Sequence, residues 1–508
     1  MQRNILKDTL LLTAIQMLLD GMGLLLNIFM TKHLGTEAIG ILTLTSSFFR
    51  LLSVIASGNV FLCASRFISE ELGKGQRNPK KILMHCMGIS LLMCMTVSGI
   101  VNLFASQCSS FFLQTDVLTN SVRIMTAILP LLTVTACIKG WFNACCQTGI
   151  CAISDIIDCV ARTICMGIMI LTKNQTEPEE LCNMTIIGTI AGTASALIFM
   201  LCSFRNCHAV ATGKASLSLK EYFILALPVM GGSALTSFLS SANDALVPMT
   251  LRQAGNSASE AFSQFGIFEA IIIPTLFFPS TILCSLAGIL VTETAREKAS
   301  NHSARITELS EKTIRQTIVF AIFITMSLLR FGDEIGILLG GGTIAGKMIV
   351  LLAPVVPFIY LEIVAESIIK GIGEQNFSSI NYLLEYVIRI SFVLIFIPMM
   401  GFYGIVLSYY ASNIFGNVGR IVLIVRKTGM NPEPVKLIGI PAFSAVCSSQ
   451  FLNALFGVLR IHAENSIISM IIYILLCCGM YLLIQRKLFQ LYGVIEIDKK
   501  IYDFNGGQ

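Results

Sequence analysis

Residues 348–370 read MIVLLAPVVPFIYLEIVAESIIK. A helix needs about 20 predominantly apolar residues to cross the hydrocarbon core of a bilayer, and this run is long enough. Its only charges are Glu362, Glu366 and Lys370, spaced four apart and therefore on one face of a helix. Comparable runs lie on both sides of it: near 9–31, 39–63, 83–106, 121–141, 152–172, 185–203 and 221–247 before it, and near 263–291 and 314–332 closer in. After it come 379–399, 403–425, 437–458 and 467–485. Unpaired backbone groups in lipid cost several kcal/mol each, so the runs predict an all-α integral membrane protein with about fourteen spans.

Composition agrees. The 508 residues are 55% hydrophobic and 13% charged, with mean hydropathy +0.77, whereas a soluble chain carries roughly a quarter charged residues. The net charge of +5 is therefore no sign of nucleic-acid binding. Most of the 17 cysteines lie inside apolar runs, such as Cys145–Cys146 and Cys477–Cys478, where they act as small hydrophobes. Cys108 and Cys182 fall in expected outward loops, where a bridge is open to them. Residues 1–8 carry Arg3 and Lys7 but precede a run long enough to span, with no small-residue cleavage site.

Basic residues orient the chain. With a cytoplasmic N-terminus, inward loops hold Arg66, Lys80, Lys81, Arg205, Arg296, Arg305, Arg426 and Lys427 among others. Outward loops hold Lys32, Lys173, Arg252, Arg330, Lys347 and Arg460, for an inward excess of roughly four to one. Both termini are expected in the cytoplasm of a multi-pass plasma-membrane protein, and Trp141 is expected at the cytoplasmic interface.

A shift of 227 residues superposes Pro130 on Pro357, Ile153 on Ile380, Asp158 on Glu385, Val160 on Val387 and Arg162 on Arg389. Six helices separate the copies, so the halves are parallel repeats about an axis along the membrane normal, an arrangement common in secondary carriers. The expected organisation is an N-lobe over 1–214, a C-lobe over 215–430, two extra helices over 431–488 and a cytoplasmic tail over 489–508.

Segment 244–296, with DALVPMTLRQAG and FFPSTILCSLAGILVTETARE, resembles the stage V sporulation protein B branch of the MOP (MATE-like) flippase superfamily. So do KGWFNACCQTGICAISDIIDCVAR at 139–162 and RFISEELGKGQ at 66–76. The resemblance covers nearly the whole chain. It implies two six-helix lobes around a central cavity, plus two further helices. It also implies substrates that are polyprenyl-linked saccharides of cell-wall, spore-cortex or polysaccharide synthesis. The lipid II branch carries arginines in helix 1 and helix 8, where this chain reads GLLLNIFMTKHLG and FEAIIIPTLFFP.

Charges inside spans need partners or a wet cavity, since each costs about 2.5–3.5 kcal/mol near the bilayer centre. Asp158 with Arg162, and Glu385 with Arg389, are spaced to pair along their helices and read as clasps between neighbours. Asp155, Glu362, Glu366 and Lys370 complete this charge network. Asp20, Arg50, Asp244 and Glu269 lack a charged partner at helical spacing and are expected to line the pathway. Arg50 is the expected head-group contact, because a guanidinium fork binds two diphosphate oxygens at once. Asp20, Asp244 or Glu269 are the candidates to bind Na⁺ or H⁺ and couple flipping to an ion gradient.

Gly341–Lys347, GGTIAGK, mimics a phosphate-binding loop, but Met348 stands where Ser or Thr is required. The five histidines are scattered and suggest no metal site. Prolines 130, 228, 274, 279, 354 and 357 are expected to kink helices. No catalytic residues or cofactor are expected. The alternatives to a lipid-linked saccharide flippase are an ion-coupled multidrug exporter of the twelve-helix MATE type, a non-transporting membrane scaffold, and a polyprenyl-dependent transferase. The short inward loops and the lack of an acid or histidine cluster on outward loops disfavour the last two.

Overall fold

The computed structural model describes residues 5–73, 78–114, 118–172, 178–205, 219–459 and 466–492, all in helices or short connections. The chain opens with α1 (Ile5–Leu34), α2 (Thr36–Ser57), α3 (Val60–Gly73) and α4 (Pro79–Leu103). The short α5 (Ala105–Cys108) then runs into a π-turn at Ser109–Leu113. Next come α6 (Thr119–Ala144), α7 (Thr148–Thr172), α8 (Pro178–Arg205) and α9 (Leu219–Gln253). One interrupted run follows: α10 (Ala258–Ile267), a π-turn (Phe268–Ile272), α11 (Ile273–Phe277), a 3-10 turn (Phe278–Ser280) and α12 (Thr281–Ala299). After α13 (Ser303–Leu338), α14 (Gly342–Leu352) passes through a 3-10 turn (Ala353–Val355) into α15 (Val356–Gly371). The last are α16 (Gln375–Met400), α17 (Gly404–Thr428), α18 (Ile440–Val458) and α19 (Ile467–Leu491).

Each expected span coincides with a helix or an interrupted helical run. Ten segments of the described residues are long and apolar enough to cross a membrane, and one of them, 375–428, has 54 residues and holds two full-length helices, α16 and α17. α7 falls outside that set because Asp155, Asp158 and Arg162 crowd its middle. Prolines sit at the interruptions: Pro274 opens α11, Pro279 lies in the following 3-10 turn, and Pro354 and Pro357 flank the break between α14 and α15. Their missing N–H and the ring's clash with the preceding turn break the ladder. The expected span 39–63 breaks for a different reason. Gly58 and Asn59 adopt left-handed φ of 58° and 51°, which ends α2 and starts α3.

Contacts divide the chain into two compact units, residues 1–271 with 390–404, and 272–389 with 405–508. In the first, a core of Val60, Cys63, Phe67, Ile68, Cys86, Cys137, Ile138 and Phe142 joins α3, α4 and α6. Trp141 belongs to it and is 1% exposed. The indole therefore packs edge-on against Phe204 at 5.3 Å instead of sitting at a lipid interface, because helices close around the end of α6. Cys108 and Cys182 are both free thiols, and Cys182 lies beside Thr45 at 3.4 Å.

Also in this unit, α2 crosses α10 at very short range. A Cβ on Gly266 would stand 2.5 Å from the Gly40 nitrogen, and one on Gly40 would overlap the Phe262 carbonyl. Thr36 and Ser263, 227 residues apart and so equivalent in the repeat, share a hydrogen bond of 2.6 Å at this crossing.

The second unit has two cores. Leu290, Ile314, Val364, Ile368, Ile369 and Ile424 join α12, α13, α15 and α17. Phe331, Leu452, Phe456, Tyr473 and Tyr481 seat α18 and α19 against α13, where the Tyr481 hydroxyl donates to the Val319 carbonyl at 2.9 Å. Of the glycines of GGTIAGK, Gly346 serves packing: a Cβ on it would stand 2.6 Å from the Asp333 Cα, and one on Gly336 of α13 would overlap the Gly346 nitrogen.

Candidate functional site

Four groups of intramembrane polar residues emerge, and each lies within one unit. On α2, Thr43, Ser46, Ser47 and Arg50 recur at three- and four-residue intervals and form a polar stripe. Arg50 Nη2 lies 3.6 Å from Asp244 Oδ2 of α9 and 3.4 Å from Ser47 Oγ. Ser47 Oγ donates to Asp244 Oδ2 at 2.5 Å, and Ser241 Oγ donates to the Ser47 carbonyl at 3.0 Å. The carboxylate side chain is 10% exposed and the arginine side chain 65% exposed. Both arginine contacts use Nη2, and neither engages Nε or Nη1. Asp20, on α1, accepts from Gln16 Nε2 at 2.8 Å, a contact within its own helix.

Glu269 lies on the π-turn after α10, where it borders a cavity of about 220 Å³. Asn27 of α1, Thr43 and Ser46 of α2 and Thr185 of α8 contribute its other polar lining.

The third group joins α6, α7 and α8. Asp158 and Arg162 pair along α7, as their spacing predicts, and Lys139 of α6 pairs with Asp155. Thr193 of α8 lies 3.5 Å from Asp158 Oδ1, and Gly192 lets α8 press onto that carboxylate.

The fourth group centres on Arg420 of α17, whose side chain is fully buried. Its Nη2 contacts Glu362 Oε1 and Glu385 Oε2, each at 3.0 Å, and its Nε lies 3.4 Å from Glu366 Oε2. Arg389 adds a second cation to Glu385 at 3.3 Å, donates to Ser412 Oγ at 3.0 Å and sits over the Tyr409 ring at 4.7 Å. Lys370 adds one to Glu366 at 3.4 Å, and Ser378 also donates to Glu366. Three carboxylates thus meet three cations. In the turn before α16, the Lys427 ammonium at 2.5 Å holds the Glu374 carboxyl below the usual carboxylate range.

The third and fourth groups are the same constellation in two copies. Adding 227 carries Asp158 to Glu385, Arg162 to Arg389, Gly192 to Gly419 and Thr193 to Arg420. In both units an acid of one helix meets residue 193 or 420 of the next; only the second copy places an arginine there. Arg420 was not among the expected residues, although Asn413, Asn417 and Arg420 make a polar stripe along an otherwise apolar span. Lys139 was missed as well, because its partner Asp155 is on another helix and no helical spacing links them.

Long apolar helices that carry buried charge clusters and line a polar cavity define a multi-pass α-helical membrane protein of the transporter type. Residues 5–288, more than half of the chain, match the polysaccharide biosynthesis protein family, and the chain belongs to that family. Among curated relatives, stage V sporulation protein B of Bacillus subtilis (strain 168) is 19% identical over 432 residues, covering 80% of this chain and 81% of its own. Sporulation protein YkvU of the same organism is 18% identical over 326 residues, covering 62% and 71%. Among solved structures, the lipid II flippase MurJ in an inward closed conformation has TM-score 0.72 at 13% identity, covering 95% of this chain and 99% of its own. An inward-facing multidrug resistance MATE family transporter of the MOP superfamily has TM-score 0.63 at 14% identity, covering 82% and 96%. The fold is that of the MOP superfamily, as the resemblance in the sequence implies.

Proposed function

We propose that the protein is a flippase that moves a polyprenyl-diphosphate-linked saccharide across the membrane by alternating access, for cell-wall, spore-cortex or polysaccharide synthesis. In this reading 1–214 and 215–430 are the two moving lobes and both termini are cytoplasmic. The observation that carries the reading is Arg50, in a chain of the polysaccharide biosynthesis family. Its guanidinium stands on the polar stripe of α2 with 65% of the side chain exposed, steadied on one edge by Asp244 and Ser47. A cation that merely tied two helices together would be covered by them, as Arg420 is. A fork held at one edge and open at the other suits a ligand with paired anionic oxygens.

The test is binding in nanodiscs. Polyprenyl diphosphate should bind the native protein better than the monophosphate does. Arg50→Leu should fold and lose that preference, and Arg50→Lys should be intermediate, since an ammonium lacks the fork. Unchanged diphosphate affinity in folded Arg50→Leu would remove Arg50 from the head-group contact. The multidrug-exporter reading has one observation in its favour, the acidic rather than basic residue Glu269 at the cavity. The two helices α18 and α19, joined to α13 by an aromatic core, lie beyond the twelve-helix exporter plan.

A further inference from the structure

Asp244 is anchored without Arg50. Ser47 Oγ donates to its Oδ2 at 2.5 Å, and Asn243 Nδ2 lies 3.4 Å from its Oδ1. Ser47 is fixed in turn by Ser241 Oγ, which donates to its carbonyl at 3.0 Å. Asn59, just beyond the end of α2, donates from Nδ2 to Ser233 Oγ of α9 at 2.8 Å. Neutral donors therefore tie α2 to α9 at two levels, and the acid stays in place whether or not the arginine does.

The arginine is attached more loosely. A charge-assisted N–H···O bond measures about 2.7–2.9 Å. Arg50 Nη2 stands 3.6 Å from Asp244 Oδ2 and 3.4 Å from Ser47 Oγ. The carboxylate oxygen it faces is the one that Ser47 already fills at short range. The arginine side chain is 65% exposed and the carboxylate 10%. The pair is thus a fixed anion beside a movable cation. A tie that served stability alone would be short and covered on both sides, as Arg420 with Glu385 is at 3.0 Å.

An anion that approaches Arg50 meets this acid. Asp244 cancels the charge that attracts a diphosphate, and like charges brought together are costly where little water intervenes. We propose that Asp244 is a positioning residue that holds Arg50 in the empty protein and competes with the diphosphate for it. Capture of the lipid moves the guanidinium off the carboxylate, and release returns it. The competition weakens binding and speeds departure, and a carrier needs both, because its ligand must leave as readily as it enters. This inference rests on the flippase reading and adds the residue that sets affinity against turnover.

The experiment measures polyprenyl diphosphate binding to the full chain in nanodiscs and exchange of the same lipid between leaflets in liposomes. Asp244→Asn removes the charge, leaves an oxygen for Ser47 to donate to, and strands no covered cation, since Arg50 is exposed. It should bind the diphosphate about tenfold more tightly than the native protein. It should also reach half-maximal exchange at lower lipid density and exchange more slowly at saturation. Asp244→Glu, which keeps the charge, should stay close to native in all three. In an Arg50→Leu background, Asp244→Asn should change affinity by less than about twofold, because the two residues act through one contact. A residue that only joined α2 to α9 would change folded yield and leave this split between affinity and rate untouched. Should Asp244→Asn fail to fold, Asp244→Ser carries the same measurements. Equal or weaker diphosphate affinity in a folded neutral variant, or an equal gain without Arg50, overturns the proposal and leaves the flippase reading standing. Absence of diphosphate binding in the native protein and the neutral variants alike overturns both.

Discussion

Replacing Arg420 with methionine keeps much of the side-chain volume and removes the charge at the centre of three carboxylates. The loss is uneven. Glu385 retains Arg389 at 3.3 Å, and Glu366 retains Lys370 at 3.4 Å together with Ser378. Glu362 loses the one cation seen within bonding distance of it among the described residues, Arg420 at 3.0 Å. Glu385, which is 2% exposed, loses half of its charge compensation where water cannot replace it. Breaking one partner out of a buried ion pair costs about 3–5 kcal/mol, and the two surviving cations place Arg420→Met toward the lower end. Against a total stability of roughly 5–15 kcal/mol this is a large fraction, so the variant should unfold at clearly lower temperature in detergent and accumulate poorly in membranes. Adding Glu362→Gln removes the orphaned charge and should restore about 0.5–3 kcal/mol, the coupling typical of residues in one network. Thermal unfolding followed by size-exclusion chromatography reads both. If Arg420→Met is as stable as the native protein but cannot transport, the cluster is part of the working site and the clasp argument is refuted.

Other outcomes follow from the remaining groups. Arg162→Ala should reduce abundance because it strands Asp158, and the double variant with Asp158→Ala should recover part of it, measured as folded protein per cell. Full abundance with lost transport would move that pair into the pathway. With Thr36→Cys and Ser263→Cys together, oxidation should join α2 to α10 and stop transport, with reduction restoring it; a cross-linked protein that still transports would show that this crossing need not open. An impermeant thiol reagent added outside intact cells should label an introduced cysteine at Asn256 and not one at His302. The opposite pattern would invert the topology.

The helical plan was legible because lipid leaves so few alternatives: long apolar runs must be helices, and prolines 274, 279, 354 and 357 mark where they break. The break at Gly58–Asn59 was missed although no proline is needed there, since glycine and asparagine are the residues that most readily take left-handed φ and end a helix. Local pairs were readable for the same reason that helices were. Asp158 with Arg162 and Glu385 with Arg389 follow from a 3.6-residue period alone. What joins different helices was hidden. Asp155 finds Lys139, Asp244 finds Arg50, and three acids converge on Arg420 only after tertiary packing. The repeat offered a way in, because residue 420 is the equivalent of Thr193 and stands opposite the acid that matches Asp158. Trp141 misled for a physical reason too: its position near a helix end suggested the lipid interface, while neighbouring helices extend far enough to bury it.

The most direct test of the central claim is translocation itself. Purified protein is reconstituted into liposomes that carry a labelled polyprenyl-diphosphate saccharide, and the fraction of label reachable from outside is followed with time. The account predicts that the native protein speeds exchange of the lipid between leaflets, that Arg50→Leu reconstitutes equally well without doing so, and that polyprenyl monophosphate is a poor competitor. A folded, reconstituted native protein that leaves the exchange rate at that of empty liposomes, across a panel of diphosphate-linked saccharides and with Na⁺ present, would contradict it.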